Sequence, residues 1–187
     1  MKDAMGISSE SGWVGSALEV RQSGSPGSGV LLTAGNTYLH FSWANGDDVA
    51  RFEAGAYPND NCYHAGYNCA RRIVNRAWLN SVDVGDTTCA SLGVSGTYRC
   101  GTVQAYVTIS NGVTHSGVLK VGFSSTDGDS GSGAMDGTDT FDGLVIGKNG
   151  SVTYVMQADR LLEDLGGAQF NCYPSGNKGT VCPGTNR

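Results

Sequence analysis

The heptapeptide Asp127-Gly128-Asp129-Ser130-Gly131-Ser132-Gly133 sets one serine hydroxyl among four small or acidic neighbours. A serine used as a nucleophile must be exposed, and it needs backbone N–H groups aimed at the oxygen that gains charge during acyl transfer. Glycines on either side permit the unusual backbone and the close approach of a substrate that this requires. The same residue types also build ordinary turns, so the stretch alone does not separate a nucleophile from a turn. A nucleophilic serine further needs a general base, with an imidazole first in line, and a carboxylate to orient it. The chain has three histidines to offer, His40, His64 and His115, and Asp48 as a carboxylate well ahead of Ser130. His40 stands on an expected strand eight residues before Asp48 and is the best placed of the three. It can also be read as a plain strand residue, while His64 and His115 are expected to face solvent.

The elements that must position these groups are short strands. Charged residues make up only 16% of the 187 residues and there are 29 glycines, a composition that suits many strands joined by tight turns. Ala17–Val20 and Val30–Leu32 flank the Gly/Ser/Pro turn 23–29 as a hairpin. Tyr38–Trp43 and Val49–Phe52 read as strands around Asn45-Gly46-Asp47, and 55–72 as a loop clasped by cysteines. Val103–Ile109 pairs with Val118–Phe123, and Leu144–Ile146 with Thr153–Met156 across Lys148-Asn149-Gly150. One helix is expected, Gln157–Leu165, stopped by Gly166-Gly167. The fold class is therefore all-β, an antiparallel barrel or sandwich with a short C-terminal helix.

Bulk properties narrow the function. A formal charge of −5 without a Lys/Arg cluster argues against nucleic acid, and no apolar run is long enough to span a bilayer. The six cysteines form three close pairs, Cys62/Cys69, Cys89/Cys100 and Cys172/Cys182. None makes a zinc-like constellation, so neither metal nor cofactor is expected. Sequential disulfides are expected instead, each closing a loop of about ten residues and contributing about 2–3 kcal/mol. They imply an oxidising, extracellular compartment. The opening segment Met1–Glu10 is polar and is not a signal peptide. The expectation is a mature chain or a reading frame that starts late.

Taken in order, these motifs resemble the chymotrypsin-like serine proteases, and among them the bacterial streptogrisin-like group. Gly128-Asp129-Ser130-Gly131 matches the nucleophile motif. Asp48-Val49-Ala50-Arg51-Phe52 looks like the Asp-x-Ala strand, and the Asp precedes the Ser as in the family. Val84–Cys89 and Ser95–Val103 resemble the disulfide hairpin of the second barrel, and Gly143–Gly147 with the helix at 158–165 matches its end. The resemblance covers roughly residues 45–167. It implies a double antiparallel β-barrel whose first barrel is incomplete: 1–80 the partial first barrel, 81–167 the second barrel and helix, 168–187 a stapled tail. It implies Ser130 as nucleophile, Asp48 as the orienting carboxylate, and the N–H groups of Gly128 and Ser130 as an oxyanion hole. Asp129 becomes a buried carboxylate in need of a cationic partner. Ser124, six residues before Ser130, falls at the base of the specificity pocket and Gly147 on one wall. A neutral Ser124 favours apolar or aromatic side chains. The expected partner is a peptide or protein substrate, bound by a monomer.

The departures are as informative. Ser132 replaces a common glycine, and Thr126-Asp127 stands where a cysteine is usual. Thr33-Ala34-Gly35-Asn36 resembles the family's Thr-Ala-Gly-His, a match that puts Asn36 in the histidine position and Thr37 in that of its half-cystine, with the partner cysteine near Ser16 also lost. The interval from Asn36 to Asp48 is too short for the helical turn and two strands the family fits there. Three functional readings follow: a secreted serine endopeptidase or a truncated form of one, a catalytically dead relative that binds peptides, and a structural β-domain with an accidental motif.

Overall fold

The computed structural model describes residues 73–92, 94–110, 114–163 and 184 in full, and the backbone alone of 17–22, 30–38, 51–52, 62–65, 68–72, 164, 171–172, 180–181 and 185. In the N-terminal part, β1 (Ala17–Gln22), β2 (Val30–Tyr38) and β3 (Arg51–Phe52) form an antiparallel sheet in that order. The hairpin read from the Gly/Ser/Pro turn is present, with Val20 opposite Thr33. β2 runs on through Thr33-Ala34-Gly35-Asn36, and Asn36 lies opposite Ala17. The cysteine-rich stretch is not a plain loop. β4 (Cys62–Ala65) and β5 (Asn68–Arg72) pair antiparallel, with Ala65 opposite Asn68.

The remainder is built on one sheet that closes. After β6 (Asn75–Ala77) come β7 (Thr87–Leu92), β8 (Thr97–Ser110), β9 (Thr114–Val121), β10 (Gly133–Met135), β11 (Thr140–Asn149) and β12 (Val152–Gln157). The order β10-β7-β8-β9-β12-β11, with β10 also paired to β11, makes a ring. β6 runs parallel to β11, and β15 (Gly184–Thr185) runs parallel to β6. β13 (Asn171–Cys172) and β14 (Thr180–Val181) make a small separate ladder. The helix α1 (Ala158–Asp164) starts one residue later than its sequence suggests, since Gln157 still pairs with Gly143 in β12.

Alternation explains the interior. Ala90, Leu92, Val103, Leu119, Val121, Ala134, Val145 and Val155 pack as one cluster inside the ring. A second cluster, with Ile73, Val118, Met135, Phe141 and Met156, receives Ala158 and Leu161 of α1, which lie three apart on one helix face. Asp159 in the first turn of α1 accepts the Leu79 N–H at 3.0 Å and pairs with Arg76, so the helix start is tied to the segment after β6. No helix among the described residues is long and apolar enough to cross a membrane.

Cys89 and Cys100 face each other across β7 and β8 and form a disulfide. The side chains of Cys62, Cys69, Cys172 and Cys182 lie outside the described residues, and so do those two pairings.

Candidate active site

The motif occupies the connection between β9 and β10 and is stitched to the ring on both sides. The Asp129 N–H donates to the Thr126 carbonyl at 3.0 Å, and the Ser132 N–H to the Asp129 carbonyl at 3.1 Å. Gly131 N–H donates to the Val145 carbonyl at 2.7 Å, and Val145 N–H returns a bond to Ser132 at 2.9 Å. Those bonds use the amides of 129, 131 and 132. The amides of Gly128 and Ser130 reach no acceptor among the described residues. The Ser130 side chain is exposed between the buried residues Asp129 and Gly131. The result is an exposed hydroxyl beside two uncommitted N–H donors on a loop fixed from both ends, which can hold an oxygen that gains negative charge.

Gly128 is needed for two separate reasons. Its φ is +91°, and a Cβ there would stand 2.8 Å from Val94 Cγ2.

Among the described residues, Asp129 is met by neutral donors rather than by the expected cation. It is fully buried, yet no Lys, Arg or His among the described residues pairs with it. Each carboxylate oxygen instead takes two neutral donors. Oδ1 accepts the N–H groups of Val94 at 2.9 Å and Ser95 at 3.1 Å. Oδ2 accepts Thr126 N–H at 2.7 Å and the Ser95 hydroxyl at 3.0 Å. A buried carboxylate is tolerable once its lone pairs are met, and N–H dipoles meet them as a cation would. Burial pushes the Asp129 pKa up, but the donors from Ser95, Thr126 and Val94 outweigh it and hold the group below the ordinary carboxylate range.

Of the two residues expected at a pocket, Ser124 lies in the segment after β9 and Gly147 in β11. Phe123–Ser125 follows β9 and is pinned by the buried Thr153, whose hydroxyl donates to the Phe123 carbonyl at 2.7 Å and lies 2.9 Å from Ser125 Oγ. Ser124 is half-buried and its Oγ accepts Arg99 Nη1–H at 2.8 Å. Gly147 lies at an irregularity of β11 opposite Tyr154, and the space where its Cβ would stand is open. Next to it, Lys148 pairs with Asp127 at 3.3 Å, which brings the end of β11 to the motif.

Asp48 and His40 lie outside the described residues, and of Asn36 only the backbone is described, in β2. His64 lies in the strand β4 rather than a loop. His115 is a half-buried residue of β9 opposite Ile109, not a solvent-facing turn residue, because β9 begins earlier than the apolar run 118–123 suggested. Val94, Ser95 and Arg99 were not legible as site residues. The hairpin tip has the Gly/Val/Ser/Gly character of any turn, and only the fold brings it to a carboxylate 34 residues away. Among the described residues no three His, Cys, Asp or Glu gather in a way that could hold a metal ion.

The fold has counterparts in solved structures. The chain superimposes on the chymotrypsin of Cellulomonas bogoriensis with a TM-score of 0.59 and 22% identity, over 71% of this chain and 73% of that one. Nocardiopsis protease follows at 0.56 and 23%, covering 70% and 71%. Protease A of Thermobifida fusca gives 0.56 and 21%, covering 72% and 73%. No protein-family model matches the sequence, and no curated protein matches it. The chain thus has the chymotrypsin-like β-barrel fold of bacterial serine proteases.

Proposed function

We propose that the chain is a secreted serine endopeptidase of the chymotrypsin type that cleaves peptide bonds through an acyl-enzyme on Ser130. The observation that carries the reading is the exposed Ser130 hydroxyl beside the uncommitted amides of Gly128 and Ser130. Ser130 Oγ attacks the scissile carbonyl carbon as a base takes its proton. The carbonyl oxygen becomes an oxyanion received by the two N–H groups. The C–N bond then breaks, the base returns the proton to the leaving amine, and water hydrolyses the ester. His40 is assigned as that base and Asp48 as its orienting carboxylate, on chain order. Supporting export is the Cys89–Cys100 disulfide. The proposed organisation is a single protease domain, with 1–80 the first barrel, 81–167 the second barrel and helix, and 168–187 the tail, acting as a monomer.

The test is labelling with a fluorophosphonate probe, which reacts only with an activated serine. Labelling of the unaltered chain that disappears in both Ser130→Ala and His40→Ala supports the full assignment. Labelling that disappears only in Ser130→Ala moves the base to another residue. A chain that binds peptides but shows negligible labelling is a peptide-binding relative, with Asn36 standing where the base belongs. Without the base, the oxyanion donors alone leave a rate about 10³–10⁴ above water.

A further inference from the structure

Arg99 stands at the pocket in a way that Ser124 alone does not suggest. Residues 97, 99 and 101 share one face of β8. At the far end of that face Gly101 meets Gly122 so closely that a Cβ would stand 2.6 Å from the Gly122 carbonyl, and Gly122 N–H donates to the Thr102 carbonyl at 3.0 Å. Two residues back along β8 and two residues on from Gly122, Arg99 therefore meets Ser124. Its Nη1–H donates to Ser124 Oγ at 2.8 Å and its Nε–H to Thr97 Oγ1 at 3.3 Å. Thr97 Oγ1 lies 3.3 Å from Ser95 Oγ, which donates to Asp129. One chain of hydrogen bonds runs from the buried carboxylate beside Ser130 to a guanidinium on the residue assigned to the pocket base.

That guanidinium is exposed and makes no ion pair among the described residues. A guanidinium has five N–H donors in a planar fork, and two hydroxyls occupy only part of it. The nearby carboxylate Asp129 is saturated by its own donors, and Asp127 pairs with Lys148. The remaining fork suits an incoming carboxylate and repels a cation.

We infer that Arg99 is the specificity-determining residue of the pocket and that it selects an acidic side chain in the residue whose carbonyl is attacked. This rests on the protease reading of Ser130 and Ser124. It replaces the apolar preference drawn from a neutral Ser124. Ser124 and Thr97 act as positioning residues that hold the guanidinium by two of its nitrogens.

The experiment measures binding rather than turnover, so it does not depend on a competent base. Three product-like tetrapeptides, Ala-Ala-Pro-Glu, Ala-Ala-Pro-Phe and Ala-Ala-Pro-Lys, each with a free C-terminus, are titrated into the full chain by calorimetry. The expected result is that the Glu peptide binds about tenfold or more tighter than the Phe peptide, and that the Lys peptide binds weakest. Arg99→Met keeps the apolar stem and removes the charge, and it should erase the Glu preference by about ten- to a hundredfold. Arg99→Lys should retain part of it. Circular dichroism checks that each variant is folded. A Phe preference in the unaltered chain, or an unchanged Glu/Phe ratio in Arg99→Met, overturns the inference while fluorophosphonate labelling of Ser130 still stands. Failure of every peptide to bind, with no labelling of Ser130, overturns the inference together with the protease reading beneath it.

Discussion

Two aspartates flank Gly128, and their surroundings could hardly differ more. Asp127 is 94% exposed and faces one lysine, Lys148, at 3.3 Å. Asp129 is fully buried and faces no cation among the described residues, only four neutral donors. In water-rich surroundings an ion pair gains little, because solvent screens it and both side chains lose freedom when held. In the interior a single charge becomes tolerable when donors already built into the backbone point at it, since they cost no further ordering. The exposed member carries the opposite charge next to it and contributes little. The buried member has none among the described residues, and its four neutral donors tie it to the loop and to the β7–β8 hairpin.

Removing the buried member is the sharpest way to break the contrast. Asp129→Ala leaves the Val94, Ser95 and Thr126 donors without an acceptor, and should lower stability by about 3 kcal/mol in urea unfolding, with loss of Ser130 labelling in the surviving folded protein. Ser95→Ala removes one of the four donors and should cost about 1 kcal/mol. It should also raise the pH at which acid unfolding begins. The sign follows from the depressed pKa of Asp129: its stabilisation is present above the ordinary carboxylate range and is lost as pH falls through and below it. The variant starts with about 1 kcal/mol less stability, so the acid-driven loss exhausts what remains at a higher pH. An acid-unfolding midpoint that does not move in Ser95→Ala would locate the acid sensitivity elsewhere. The smallest effect is expected from Asp127→Asn, which should leave the melting temperature unchanged within the error of a thermal scan. A large shift there would mean that the ion pair with Lys148 fixes the loop after all.

The same contrast marks what could be read from the chain beforehand. Strands β8, β9, β11 and β12 were legible because local signals carry them: the apolar segments Val103–Ile109, Val118–Phe123, Leu144–Ile146 and Thr153–Met156, and the turn at Lys148-Asn149-Gly150. The motif 127–133, which lies in the connection between β9 and β10, could be singled out because its residues are contiguous. The partners of Asp129 and of Ser124 could not. They depend on which residues of the β7–β8 hairpin reach the motif, and that is a matter of strand register across separations of 34 and 25 residues. The sequence also invited a cation for Asp129 because side-chain chemistry is visible in letters and backbone N–H groups are not. The β4–β5 pair was passed over for a similar reason. Two close cysteines suggested a clasped loop rather than paired strands.

One element joins the motif to the durability of the whole ring. β10 is only three residues long, follows the motif directly, and pairs with both β7 and β11. Ala134 and Met135 are fully buried there. Amide protons at this seam can exchange with solvent only when β10 parts from a neighbour, and the same parting frees Gly131 and Ser132 from Val145. The lifetime of the loop geometry around Ser130 is therefore set by how rarely the ring opens at its shortest strand.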